Sequence, residues 1–222
     1  MTVLHLADEG EAADLAAFLS RLLHYDRGAA VRLQAAGTAL AVFGRPPSFE
    51  VLAIRTARLA KPYENGLDVT LDVTVSAGEL LESVDESAAT AVVPGAVTGP
   101  PWAGVLPPRG GWRAVPGLPD PDALRAMVGA GVAEFRSRTQ ELAAEQRTRA
   151  ELDRVGREIW SRTVGNTHLP VRAVHAAQSL GFLRATRELA LLSSGAWLRL
   201  RTPYGSIAVR RAGLGTLDVS VR

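Results

Sequence analysis

The residue types that could carry catalysis are few, and they are poorly spaced for it. Four histidines, His5, His24, His168 and His175, are scattered along the chain. No two have the spacing that brings imidazoles onto one metal ion; a turn and Pro170 separate His168 from His175. Cysteine is absent, which removes thiolate nucleophiles and thiolate ligands. There is no Walker loop, no G-x-S-x-G elbow and no H-E-x-x-H. Gly129-Ala130-Gly131 starts like a dinucleotide loop, but the third glycine and a preceding strand are missing. Small residues at a close helix contact are the expectation there. Ser193-Ser194 reads as a turn. Asp68 and Asp72 read as solvated carboxylates on the outer face of a strand, and Asp85-Glu86 as a solvated helix exit. The inventory predicts no catalytic residue, no cofactor and no metal site.

Recognition chemistry is better represented. Ala196 to Arg211, A-W-L-R-L-R-T-P-Y-G-S-I-A-V-R-R, reads as a β-hairpin. Pro203 presets φ for a turn, and Gly205 can take a conformation that other residues avoid. Alternation puts Leu198, Leu200, Ile207 and Val209 on one face. Trp197, Arg199, Arg201, Ser206, Ala208 and Arg210 fall on the other. Guanidiniums contact phosphates and an indole can stack on a base. The candidate nucleic-acid contacts are therefore Arg172, Arg184, Trp197, Arg199, Arg201, Arg210 and Arg211. The competing expectation is that Trp197 packs on the long helix upstream and the arginines pair with its glutamates.

The elements that must position these residues divide at a Pro/Gly-rich stretch. Asp8 to His24 reads as an amphipathic helix, with Leu15, Phe18, Leu19, Leu22 and Leu23 on one stripe. Strands follow at Ala30–Ala35, Thr38–Gly44, Phe49–Ala60 and Leu67–Ser76, with K-P-Y-E-N-G (Lys61–Gly66) as a turn. Ser76 and Glu79 form a capping box for a short helix. Glu86 to Pro119 holds seven of the 13 prolines and six glycines, so no helix can run through it. Its Trp102 and Trp112 predict that L-P-P-R-G-G-W lies ordered against the rest of the molecule, with a role as a Pro-rich ligand the lesser reading. Asp120-Pro121 starts a helix that could run to about Thr163, on the order of 60 Å. Its apolar stripe lapses at Glu145–Arg149, which predicts a break. Pro170 starts another helix, ended by Gly181. Arg187–Ser193, the hairpin and a closing strand over Leu214–Arg222 complete a small antiparallel sheet.

The predicted class is α+β: an N-terminal helix on an antiparallel meander, then C-terminal helices with a small antiparallel sheet, winged-helix-like in outline. The predicted domains are 1–86 and 120–222, each with its own core, joined by 87–119. The order of the first elements resembles half of a DNA sliding clamp; only the order matches, and no function follows from it. The combination of L-P-P-R-G-G-W, a charged helix, S-L-G-F-L and W-L-R-L-R-T-P-Y-G-S-I-A-V-R is similar to a group of uncharacterised proteins from high-GC Gram-positive bacteria. That resemblance implies a soluble cytoplasmic protein and no particular activity.

Charge and composition complete the reading. With 222 residues and 47% hydrophobic content the chain can bury a sizeable core. Its cations are 24 arginines and Lys61, the bias of a GC-rich genome. Residues 1–119 carry 9 basic and 13 acidic groups, and residues 120–222 carry 16 and 10. The polarity fits nucleic-acid contact through the second half, or docking of one half on the other. No apolar run reaches the roughly 18 residues of a membrane span, and the first residues lack the basic start of a secretory signal. The expectation is a cytoplasmic, non-catalytic interaction or structural protein whose partner is itself, as a homo-oligomer, or another protein. DNA or RNA binding by the basic hairpin is the alternative.

Overall fold

The computed structural model describes residues 2–61, 71–184 and 188–211. The turn expected at Lys61–Gly66 lies almost wholly outside these residues, as do the first four residues of the strand expected at Leu67–Ser76 and the closing strand expected over Leu214–Arg222. In chain order the elements are β1 (Val3–His5), α1 (Glu9–Tyr25), β2 (Ala30–Ala36), β3 (Ala39–Gly44), β4 (Leu52–Arg58), β5 (Leu71–Ser76), α2 (Ala77–Glu82), β6 (Val84–Asp85), β7 (Thr90–Val92), β8 (Arg113–Val115), α3 (Pro121–Glu141), α4 (Arg149–Trp160), α5 (Val171–Ser179), β9 (Ala190–Ser194), β10 (Trp197–Thr202) and β11 (Gly205–Arg210). The class is α+β, as predicted. No described helix is long and apolar enough to cross a membrane.

Eight strands form one antiparallel sheet in the order β5-β2-β3-β4-β11-β10-β9-β8. β1, β7 and β6 form a second, three-stranded sheet. The expected four-strand meander is corrected: β5 returns to pair with β2 instead of β4, and the edge of β4 pairs with β11, through Ile54–Ser206, Ala53–Ile207 and Leu52–Ala208, joining the N-terminal strands to the C-terminal ones. Register then carries one row across all eight strands: Val75, Val31, Gly44, Ala53, Ile207, Leu200, Leu191 and Val115. This row belongs to the inner face, which the helices cover.

Gly44 and Ala53 are small because α1 sits on them. A Cβ on Gly44 would stand 2.5 Å from a methyl of Leu22. Of the stripe predicted for α1, Leu15, Phe18, Leu19 and Leu22 are each at most 1% exposed, and Leu23 is partly buried at its margin. Asp8 caps the helix by accepting from the Glu11 amide. The same core takes in Leu198, Leu200, Ile207 and Val209 of the hairpin and Val174 and Ala177 of α5. Separate cores for 1–86 and 120–222 are therefore corrected to one core that both parts share. The reason is the β4–β11 pairing, which aligns two half-covered sheets so that one helical layer serves both.

The same pairing removes the winged-helix outline. A wing is a hairpin with a free edge, whereas β10 and β11 are paired on both sides, to β9 and β4. The long helix breaks where its apolar stripe lapses. α3 ends at Glu141, a single turn of 3-10 helix follows at Ala144–Gln146, and α4 starts after Thr148. Arg147 closes the first helix by donating to the Leu142 and Gln140 carbonyls, and Thr148 opens the second by accepting from the Glu151 amide. Gly131 lies where α3 meets α4: a Cβ there would stand 2.8 Å from the Trp160 ring. Small size for close packing thus accounts for Gly131. After α5, Gly181 (φ 75°) donates to Gln178 and Phe182 to Ala177, a Schellman ending that turns the Phe182 ring back into the core.

Candidate binding face

The outer face of the sheet, opposite the helices, carries the alternate residues of the same strands. Arg32, Phe43, Ile54, Ser206 and Arg201 lie in one row, and Leu52, Ala208 and Arg199 in the next. The Pro/Gly-rich connection runs across this face as a strap. Trp102 and Leu106 pack on a small apolar cluster of Phe43, Leu52, Ile54 and Ala208, with Trp197 beside it. The Arg32 guanidinium donates to the Ala103 carbonyl and makes a two-pronged pair with Asp72 at 2.7 and 2.9 Å. That pairing holds the Asp72 carboxyl below its ordinary range, so Asp72 is an ion-pair partner rather than a merely solvated group. Trp112 Nε1 donates to the Pro108 carbonyl at 3.0 Å, and Ser194 Oγ to the Gly110 carbonyl. The order expected for L-P-P-R-G-G-W is therefore present: Leu106, like Trp102 before it, packs on the protein's own sheet, and Trp112 is fixed beside Arg199.

The seven candidate residues fall on two sides of the molecule. Trp197, Arg199, Arg201 and Arg210 share the outer face, with Trp197 directly opposite Arg210. Arg211 follows at the strand end, its amide donating to Ala196 and its guanidinium to the Gly195 carbonyl at 2.7 Å. Arg172 and Arg184 lie on the helical side. Arg184 reaches Asp14 of α1 at 2.8 Å and lies 4.2 Å from the centre of the Tyr204 ring. The Nε atoms of Arg172 and Arg211 are buried, with no hydrogen-bond partner among the described residues. The sheet stands between the two groups, so Arg172 and Arg184 do not extend the hairpin's surface. Trp197 lies in the outer-face cluster rather than on the long helix. The glutamates of α3 and α4 are held by Arg138, Arg154 and Arg162 instead of by the hairpin.

Arg199 has the least comfortable charge on this face. It is more than half buried. Its Nε donates to Ser206 Oγ at 2.9 Å, and its guanidinium carbon is 5.7 Å from the centre of the Trp112 ring. Burial pushes its pKa down, and the neighbouring positive charge of Arg201 adds to that. Arg201 and Arg210 are exposed. A guanidinium stays protonated under such pressure, so the arrangement is a cluster of like charges. Chemically it can hold an anion by charge-assisted hydrogen bonds beside a flat aromatic surface.

Two constellations escape sequence reasoning. Arg55, 5% exposed on β4, pairs with Glu11 and Asp14 and donates to the Tyr204 carbonyl. It ties α1 to the hairpin turn across the sheet junction. Its only signal is a cation at an inward position of an alternating strand, Ala53-Ile54-Arg55-Thr56-Ala57. His175 lies tilted over Trp160, 4.4 Å between ring centres, and meets Phe49 edge-on at 5.0 Å, and burial pushes its pKa down. It packs as an aromatic, and among the described residues no cluster of histidine and carboxylate ligands could hold a metal.

No curated protein matches the chain. Residues 1–104 match the family described as Domain of unknown function (DUF8010), and residues 107–214 match Domain of unknown function (DUF8185). The two matches meet within the strap, and the chain is thus similar to two uncharacterised domain families in succession, one on each side of the β4–β11 junction.

Proposed function

We propose that this is a non-catalytic, cytoplasmic binding protein whose contact surface is the outer face of the sheet around β10 and β11. The observation that carries the reading is the clustering of Arg199, Arg201 and Arg210 on one face of two adjoining strands. A surface with clustered like charge favours a partner that brings the opposite one. In the first form of the reading the partner is an acidic face of another protein or of a second copy of this chain. In the second it is DNA or RNA, and the indoles of Trp112 and Trp197 beside the arginines favour that form.

The test is retention on immobilised heparin, a polyanion without bases or peptide groups. The wild type is expected to bind at low salt. Arg201→Glu with Arg210→Glu should elute at clearly lower salt with an unchanged melting temperature, since both side chains are exposed. Equal elution of the two proteins would overturn the reading.

A further inference from the structure

We infer that the anion this face takes is a single-stranded polynucleotide, lying along β10 with its phosphates on Arg199, Arg201 and Arg210 and a base on Trp112. The inference rests on the binding-face reading above and names its partner.

Shape disfavours readout of a duplex through the major groove. The DNA major groove admits a helix or a two-stranded ribbon that projects from its domain. The basic hairpin cannot project, because β4 and β9 pair with its outer edges. The candidate arginines of the helical side, Arg172 and Arg184, are on the opposite side of the sheet, and Arg184 is already engaged with Asp14 and Tyr204. What remains is a sheet face with cations and indoles interleaved. Such a face matches an unpaired strand, whose bases are free to stack while its phosphates follow a positive track.

Spacing and anchoring support the same occupant. Trp197, Arg199 and Arg201 alternate along one face of β10, about 7 Å apart at each step, with Arg210 opposite the first. Trp112 is not a loose surface ring. Its Nε1 is fixed on Pro108, its loop is held to β9 through Ser194 and Gly110, and the Arg199 guanidinium lies toward its ring. A pre-positioned indole costs a ligand little ordering entropy. An acidic peptide would use the guanidiniums but has no need of the indole, so Trp112 is the residue that separates the two partners.

The experiment is fluorescence anisotropy of the full chain with a labelled mixed-sequence 20-nucleotide DNA and the same RNA. The competitors are the corresponding duplex and poly-glutamate. Single strands should bind more tightly than the duplex, and the log–log salt dependence should flatten by about 0.7 for each phosphate contact removed in Arg199→Ala or Arg201→Ala. Trp112→Ala should weaken binding by roughly 5- to 150-fold, the effect of one lost stacking contact. Trp112→Phe should restore most of it, which a merely misfolded variant would not do. Binding of poly-glutamate but not of either single strand, lost in the Arg201→Glu, Arg210→Glu protein, would overturn this inference and leave the binding-face reading standing. Duplex binding equal to single-strand binding, with no effect of Trp112→Ala, would also overturn it. No binding of any polyanion at low salt would overturn both.

Discussion

Gly205 shows how closely single side chains set this fold. A Cβ at this position would stand 2.5 Å from the Phe182 ring, and the backbone has φ 155°. Phe182 is itself turned inward by the Schellman ending at Gly181, and it stacks 5.8 Å from Phe18 of α1. The hairpin turn, the end of α5 and α1 therefore meet at one ring. Gly205→Ala should cost about 1–3 kcal/mol, the usual penalty for overpacking a filled site, read as a lowered melting temperature. The need for glycine here was legible as a turn signal in T-P-Y-G. Its second reason, the absence of room beside Phe182, was not, because the two residues meet only after the sheet has formed.

At the scale of elements, the helical pair α3–α4 carries an ion-pair ladder along its exposed side, beside the apolar contact of Val155, Ile159 and Trp160 with α3. Arg138 bridges Glu134 and Glu158, Arg162 reaches back to Glu134, and Arg154 joins Glu151 to Glu158. Hydrogen bonds from these arginines hold Glu134, Glu151 and Glu158 below the ordinary carboxylate range. Carboxylates depressed in the folded state add stability above their unfolded pKa of about 4.3 and lose it as pH falls through the folded value. The pair should therefore loosen at acid pH, starting just above pH 4. All these groups are solvent-screened, so each pair contributes little and the ladder acts as a set. Hydrogen exchange between pH 6 and pH 3 should show faster opening of residues 132–158, after correction for intrinsic rates, before the buried strands open. Equal protection of this segment at both pH values would refute the ladder's role. The break between the helices was foreseeable where the apolar stripe lapsed. Its position, with Thr148 capping the second helix by accepting from the Glu151 amide, came from the structure.

At the scale of the whole molecule, the two parts of the chain are expected to unfold together. They share one core and one sheet, and Arg55 clamps the junction from α1 to the hairpin turn. Chemical denaturation followed by tryptophan fluorescence and by far-ultraviolet circular dichroism should give coincident single transitions. Two separated transitions would show that the junction is weaker than either part. Glu11→Gln, which removes a carboxylate from buried Arg55, should lower the common midpoint without splitting it, because the guanidinium would lose a charge-assisted partner.

What the sequence determined by itself was local. Periodicity places α1, the strands of the N-terminal half and the hairpin, but not the strand order, since β5 pairs with β2 rather than following β4 as a meander would; caps place the starts of α2 and α3 at Ser76 and Asp120; and alternation gives the apolar side of the hairpin as Leu198, Leu200, Ile207 and Val209. These features arise from hydrogen bonds and side-chain alternation within a few residues, so the chain displays them directly. The tertiary structure alone decided that β4 pairs with β11, some 150 residues apart in the chain. That pairing turned two expected cores into one, gave the hairpin neighbours on both edges, and separated Arg172 and Arg184 from Arg199, Arg201 and Arg210. Strand pairing is decided by which apolar faces can share one cover, a global question that no window of sequence contains. The strap is a similar case: its prolines and tryptophans announced order, but only the folded sheet offered the outer face on which Trp102, Leu106 and Trp112 settle.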